Sequence, residues 1–101
     1  MSPRTSGLLT DRSVSAITSG SGAATPVLAA DTSRAVLILA NPDVAIPIYV
    51  NMVGGTASAH AAGSIPIAPQ THIQFTTFVP TNAITAVTSG GTPGLTILTM
   101  P

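Results

Sequence analysis

The chain has 101 residues, of which 45% are hydrophobic, 3% aromatic and 6% charged, and its formal net charge is zero. This length suits a single domain, and the lack of net positive charge argues against binding to a nucleic-acid backbone. The absence of cysteine excludes disulfides, thiolate nucleophiles and zinc–thiolate sites.

Charged side chains are unusually scarce, since an average soluble domain carries them at roughly a quarter of its positions. The charged residues are Arg4, Arg12, Arg34, Asp11, Asp31 and Asp43. A free monomer normally covers itself with charges of both signs, so we expect partner protein to cover much of this surface. Lys and Glu, which usually furnish helix surfaces, are absent, and the composition therefore favours an all-β fold.

No segment has the character of a membrane span or a secretory signal. The longest apolar run, residues 35–40, is far shorter than the ~20 residues that a membrane helix needs. The first twelve residues contain two arginines but no apolar stretch. We therefore expect no membrane association and synthesis in a cytoplasm.

Residues 1–23 are rich in Ser, Thr and Gly, and such a segment cannot by itself bury enough apolar surface to become ordered. We expect an arm that contacts neighbouring subunits; the alternative is an edge strand of the same domain. The candidate contact residues in this segment are Arg4, Leu8, Leu9, Asp11 and Arg12.

Residues 24–52 contain the strongest strand signals. A short strand is predicted over 26–30, a turn over 31–33, and the best strand over 34–41. The unbroken apolar character of that strand predicts burial on both faces, so we expect an aspartate at Ile38 to unfold the domain. The Asn-Pro-Asp at 41–43 ends the strand, and residues 48–52 form the next one.

The remainder predicts further short strands separated by turns. Residues 54–63 form a loop of small residues that is either mobile or packed against something external. The prolines in 64–69 predict an edge or extended segment. Strands are predicted over 72–79, 84–88 and 95–100, with a Gly-rich loop over 89–94.

This order of elements predicts an all-β fold. Residues 24–101 are expected to form a small antiparallel β-sandwich or jelly-roll-like barrel of six to eight short strands, preceded by the N-terminal arm.

Catalytic and metal-binding residue types are present but not in a recognisable pattern. His60 and His72, with Asp31, Asp43 and several serines, supply the types of a Ser-His-Asp site, yet no G-x-S-x-G motif accompanies them. Two histidines and isolated aspartates are too few for a metal site within one subunit; a site on a symmetry axis with one histidine from each subunit stays open. We expect no enzyme and no cofactor.

Two further residues are candidate partner contacts. Arg34 either pairs with an aspartate of a neighbouring subunit or caps its strand and contacts Asp31 or Asp43 of its own chain. His60 lies in the small-residue loop.

The aromatic residues are Tyr49, Phe75 and Phe78. They are predicted to pack in the core, because sugar-binding modules usually expose several aromatic faces.

The segments RAVLILAN, IPIYVNM, IPIAPQT, FTTFVPTNAITAVTSGG and GLTILTM follow one another in this order. The succession, which covers residues 25–101, resembles the small β-sandwich virion proteins of tailed bacteriophages. That class includes capsid decoration (cement) proteins, bases of head fibres and tail-associated modules.

The resemblance implies a structural role. A decoration protein sits on the outer capsid surface, bridges subunits of the major capsid protein and resists the pressure of the packaged DNA. Such proteins are often trimers with extended N-terminal arms, so a homotrimer or another homo-oligomer is expected. The alternative is a head-fibre or tail-associated module that anchors a fibre or recognises the host surface.

Overall fold

A computed structural model of the chain describes residues 8–18 and 24–101. These residues form eight strands: β1 (Thr10–Asp11), β2 (Thr25–Leu28), β3 (Val36–Asn41), β4 (Ile48–Asn51), β5 (Ile65–Ile67), β6 (Thr71–Phe75), β7 (Ile84–Thr88) and β8 (Thr96–Met100). Within the described ranges there is no helix of the length and apolar character needed to cross a bilayer.

The strands form two four-stranded antiparallel sheets. The first sheet has the order β1-β8-β3-β6, and the second sheet has the order β2-β7-β4-β5. The two sheets enclose one aliphatic core, so the molecule is a small β-sandwich. The predicted fold class and number of strands are confirmed.

The core between the sheets is built without a fully buried aromatic ring. Its largest fully buried apolar side chains are Ile17, Leu37, Leu39, Ile48, Ile67, Ile84, Leu95, Ile97 and Val50. Burying an aliphatic side chain of this size contributes roughly 1.5–3 kcal/mol. The intersheet cluster is therefore the main source of stability.

The prediction that β3 is buried on both faces is wrong. Leu37, Leu39 and Asn41 are buried, whereas Val36, Ile38 and Ala40 are only half-buried. Successive side chains of a strand point to opposite faces, and a two-layer sandwich gives each sheet only one inner face. Ile38 therefore lies on the outer face of the first sheet, and the expectation that it is a core residue is wrong as well.

The described part of the N-terminal segment is built into the domain. β1 pairs with β8, and the chain continues beside β8 through a bridge between Val14 and Leu95. The amide of Ile17 then donates to the Pro93 carbonyl at 2.8 Å, and the Ile17 side chain belongs to the core. Residues 10–17 thus occupy the edge of the first sheet, which was the alternative to a free arm.

The Asn-Pro-Asp turn after β3 is held by side-chain oxygens and amides. Asn41 is buried, and its Nδ2 donates to the carbonyls of Ile46 and Ile67 at 2.8 and 2.9 Å. Asp43 Oδ2 accepts the amides of Ala45 and Ile46 at 2.9 and 2.7 Å. The Asn-Pro-Asp ends β3 as predicted, but β3 and β4 belong to different sheets and do not pair. One Asn41 hydrogen bond holds the connection at Ile46, and the other reaches Ile67 of β5.

The amides of Ala45 and Ile46 lower the pKa of Asp43, and Asp11 and Asp31 also have lowered pKa values, chiefly because Ser13 and Ser33 donate to them. A lowered folded-state pKa stabilises the fold above the ordinary aspartate value of about 4, and this contribution disappears as the pH falls through the folded value. We expect the urea midpoint to fall below about pH 4 and to fall less steeply in Asp43→Asn. An unchanged pH dependence in that variant would contradict the assignment to Asp43.

The strand predicted over 72–79 ends early, at Phe75. Phe78 lies beyond it with a φ of 57° and is 97% exposed. The predicted core position of Phe78 is therefore wrong, whereas Phe75 packs against the core as predicted. The proline-containing segment 64–69 provides β5, an edge strand of the second sheet, as predicted.

Candidate functional site

The outer face of the second sheet is covered by the protein's own loop. Tyr49 of β4 and Val87 of β7 point outward from this sheet, yet Val87 is only 2% exposed. Both pack with Ala57, a residue of the small-residue loop between β4 and β5. This face therefore carries a second, minor core.

The covering loop is fixed by hydrogen bonds to two strand side chains. Asn51 Oδ1 accepts the amides of Val53 and Gly55 at 3.0 and 2.9 Å. Thr85 Oγ1 accepts the amide of Ala57 at 2.8 Å and donates to the Gly55 carbonyl at 3.1 Å. The sequence showed no obvious anchors for this loop, and the structure supplies them from Asn51 and Thr85 of the same chain.

His60 completes the contact between this loop and β4. Its ring lies 4.9 Å from the Tyr49 ring, and its Nδ1 is 3.0 Å from the Tyr49 hydroxyl. His60 itself is exposed. The structure thus places this candidate contact residue on the side of the second sheet and gives it a partner within the domain.

Replacing Thr85 by Val removes the acceptor of the Ala57 amide and the donor to Gly55. We expect a loss of about 1–2 kcal/mol in the free energy of unfolding, together with faster amide hydrogen exchange in residues 55–63. Thr77→Val, at an exposed position outside the strands, is the matched control and should change stability by less than about 0.5 kcal/mol. Unchanged exchange in the loop would show that Thr85 does not hold it.

The outer face of the first sheet is different, because among the described residues no core cluster lies on it. Val36 and Ile38 of β3 lie opposite Met100 and Leu98 of β8 in the strand register. All four are half-buried, as expected for side chains flanked only by neighbours in their own sheet. None of them packs against either core cluster. We call these four residues the outer patch.

Two of the predicted contact residues border the outer patch. Asp11 of β1 lies opposite Leu98 in the register. Continuing the same register by one residue places Leu9, which is 50% exposed, beside Met100. Leu8 precedes it and is more exposed still. The apolar surface therefore extends from β3 across β8 to the start of β1.

One charged side chain, Asp11, lies beside the outer patch. Asp11 Oδ1 accepts the amide of Ser13 at 2.8 Å, and the hydrogen bonds from Ser13 lower the pKa of this carboxyl. On the far side of the patch, β6 contributes the exposed side chains of Gln74 and His72. An apolar surface with a polar, mostly uncharged rim can bind protein with little charge desolvation.

Arg34 and Arg12 line a separate open cleft of about 410 Å³, together with Asp31, Thr99 and residues 27–30. Arg34 is only 5% exposed and donates to the carbonyls of Ala29 and Pro80 at 2.9 and 2.6 Å. A weaker bond of 3.4 Å reaches the Asn82 carbonyl.

The guanidinium of Arg34 is thus used within its own chain, through carbonyl oxygens rather than through hydrogen bonds to Asp31 or Asp43. It contributes to the lowered pKa of Asp31, after the larger effect of the Ser33 hydrogen bonds. Arg12 is exposed in the same cleft. This cleft is primarily a structural junction between the β2–β3 and β6–β7 connections.

Arg4 lies outside the described residues. Within the described part of the chain, no group of three or more His, Asp, Glu or Cys side chains could hold a metal ion. Comparison of the sequence with known protein families and with curated proteins gives no match.

Sequence reasoning missed the outer patch. The signal for it was the apolar run of β3 itself. Successive side chains of a strand point to opposite faces, so a strand with an apolar residue at every position must place half of them on an outer face of a two-layer sandwich.

Proposed function

We propose that this protein is a structural virion protein that decorates a tailed-phage capsid and stabilises it by bridging subunits of the major capsid protein. In this proposal it is not an enzyme, uses no cofactor, acts as a homo-oligomer, and sits on the outer capsid surface after synthesis in the host cytoplasm. The observation that carries the proposal is the outer patch, four half-buried apolar side chains on an outer sheet face that belong to neither core cluster of the described residues.

The asymmetry between the two sheets supports this proposal. The loop between β4 and β5 packs Ala57 against the outer face of the second sheet, whereas the first sheet leaves Val36, Ile38, Leu98 and Met100 half-buried. Apolar surface left open in a domain with so few charges favours association with another protein. Repetition of such a contact over a symmetric shell adds avidity to individually modest interactions.

The resemblance of residues 25–101 to small phage virion proteins points to the same role. It also supplies the partner, the major capsid protein, whose subunits form a continuous surface on which a patch of this size can dock. The resulting contact would be apolar at its centre and polar at its rim.

The test is addition of purified protein to bare shells of the phage that encodes it. We expect saturable binding at a fixed ratio of protein to capsid subunits, measured by co-sedimentation and quantitative gel analysis. Leu98→Asp, in the outer patch, should abolish this binding. Val53→Asp, at an exposed apolar position on the loop of the second sheet, is the matched control and should bind normally.

Failure of the unmodified protein to bind shells would contradict the proposal. Binding to a host-surface glycan in place of the shell would favour the head-fibre or tail-associated alternative. Normal shell binding by a folded Leu98→Asp variant would leave decoration intact but remove the outer patch as its docking surface.

A further inference from the structure

Three of the four sheet edges are protected against pairing with another strand. The edge formed by β1 and the residues after it carries Asp11 and Arg12, and β5 has three residues with Pro66 at its centre. β2 contains Pro26, followed by an irregularity in its register with β7. Short strands, charges, prolines and bulges are the features by which natural edge strands avoid pairing with other chains.

The fourth edge, β6, has none of these features. Its five residues, Thr71–Phe75, include no proline and no formally charged side chain. They pair with β3 in an unbroken register, from Leu37 opposite Phe75 to Asn41 opposite Thr71. Among the described strands β6 has β3 as its single neighbour in the sheet, so alternate amides and carbonyls along its other side are available for pairing.

We propose that β6 pairs antiparallel with β6 of a second copy of this chain, centred on Ile73. A second copy is the occupant because the three other edges are protected, so that among the described strands β6 of another molecule is the open edge available for pairing. The strand has no Asp, Glu, Lys or Arg, and pairing centred on Ile73 places neither His72 opposite the other. The pairing is isologous and closes after two copies.

The geometry of this pairing has a consequence for capsid binding, and that consequence rests on the proposed function. Antiparallel pairing of identical strands has its two-fold axis perpendicular to the sheet. Both outer patches then lie on the same side of one continuous eight-stranded sheet. The dimer presents twice the docking surface of one copy, and it can bridge two capsid subunits related by a two-fold axis.

The proposed register gives a charge test of the contact. His72 of each copy would lie opposite Gln74 of the other, and both side chains are exposed, so they can be replaced without touching the core. His72→Lys with Gln74→Lys places like charges opposite each other twice. His72→Glu with Gln74→Lys places opposite charges there. Ser89→Lys with Thr92→Lys, at exposed positions in the β7–β8 loop, adds the same net charge away from β6.

The measurement is the dissociation constant of the full chain by sedimentation equilibrium, without capsids. We expect a dimer in the unmodified protein and roughly ten-fold or greater weakening in the double-lysine variant. The glutamate–lysine variant and the loop control should dimerise like the unmodified protein. Circular dichroism verifies that each variant is folded.

A monomer at all accessible concentrations would overturn the proposal, and so would a dimer unaffected by the two lysines at β6. A monomer whose β6 becomes protected from hydrogen exchange only on shells would assign this edge to a capsid strand and equally overturn it. Because the test uses no capsids, its failure is separate from failure of the proposed decoration function.

Discussion

Replacing Leu37 by Asp is expected to unfold the domain, whereas the same replacement one residue later, at Ile38, is expected to leave it folded. Leu37 is fully buried in the intersheet core. Loss of a buried leucine side chain alone costs about 2–5 kcal/mol, and placing a carboxyl group there adds a desolvation penalty. The sum approaches the whole stability of a domain of this size, about 5–15 kcal/mol.

Ile38 points to the opposite face of β3, where it is half-buried beside Leu98. An aspartate there keeps access to water, so we expect a cost of at most about 1–2 kcal/mol from lost β-propensity and contact. Circular dichroism and urea unfolding of the two variants distinguish the faces. Unfolding by Ile38→Asp together with a folded Leu37→Asp would reverse the assignment of inner and outer faces.

Replacing Arg34 by Ala is expected to lower the free energy of unfolding by about 3 kcal/mol. The guanidinium joins the carbonyls of Ala29 and Pro80, which belong to connections far apart in the chain. Its removal leaves these acceptors without their donor in a partly buried site and loosens the junction between the connections. Urea unfolding monitored by circular dichroism gives the difference.

Two further variants serve as controls: one keeps the charge of Arg34 without its planar guanidinium, and the other removes the exposed arginine of the same cleft. Arg34→Lys keeps the charge but cannot reach two diverging carbonyls with a planar group, so its stability should lie between those of Arg34→Ala and the unmodified protein. Arg12→Ala removes the exposed arginine of the same cleft and should change stability by less than about 0.5 kcal/mol. An Arg34→Ala variant as stable as Arg12→Ala would contradict a structural role for Arg34.

Most of the strands, though not their pairing within the two sheets, followed from local sequence. Alternation in the strand predicted over 72–79, β-branched runs in β3 and β7, and turn residues between them are properties of neighbouring residues, and the structure confirms these strands, the first with its end moved to Phe75. The edge position of β5 followed from Pro66, because proline cannot donate to a ladder.

The face on which each apolar side chain lies could not be derived from β3 alone. Every residue of its run VLILA is apolar, so the sequence does not distinguish the inner from the outer face. Burial on both faces would require a further layer of structure over the first sheet, and the strand is buried on one face only. Only the pairing of β3 with β8 shows that Ile38 joins Leu98 on an open face. The continuous apolar run of β3 made the strand easy to predict, and the same run concealed which of its residues form the outer patch.

Partners that are distant in sequence were also beyond local patterns. The carbonyl of Pro80 that receives the Arg34 guanidinium lies 46 residues away. The Thr85 hydroxyl that anchors the loop at Ala57 lies 28 residues away. Backbone carbonyls and threonine hydroxyls carry no sequence signature, so these contacts could only be seen in the folded structure.

The central proposal is that the outer patch of the first sheet docks on the capsid. A cryo-EM reconstruction of the decorated particle tests this most directly. We expect density for this β-sandwich on the outside of the shell, with Ile38 and Leu98 facing the major capsid protein and the loop around Ala57 facing away from it. A sandwich whose first sheet faces solvent, or a particle that carries no such density, would contradict it.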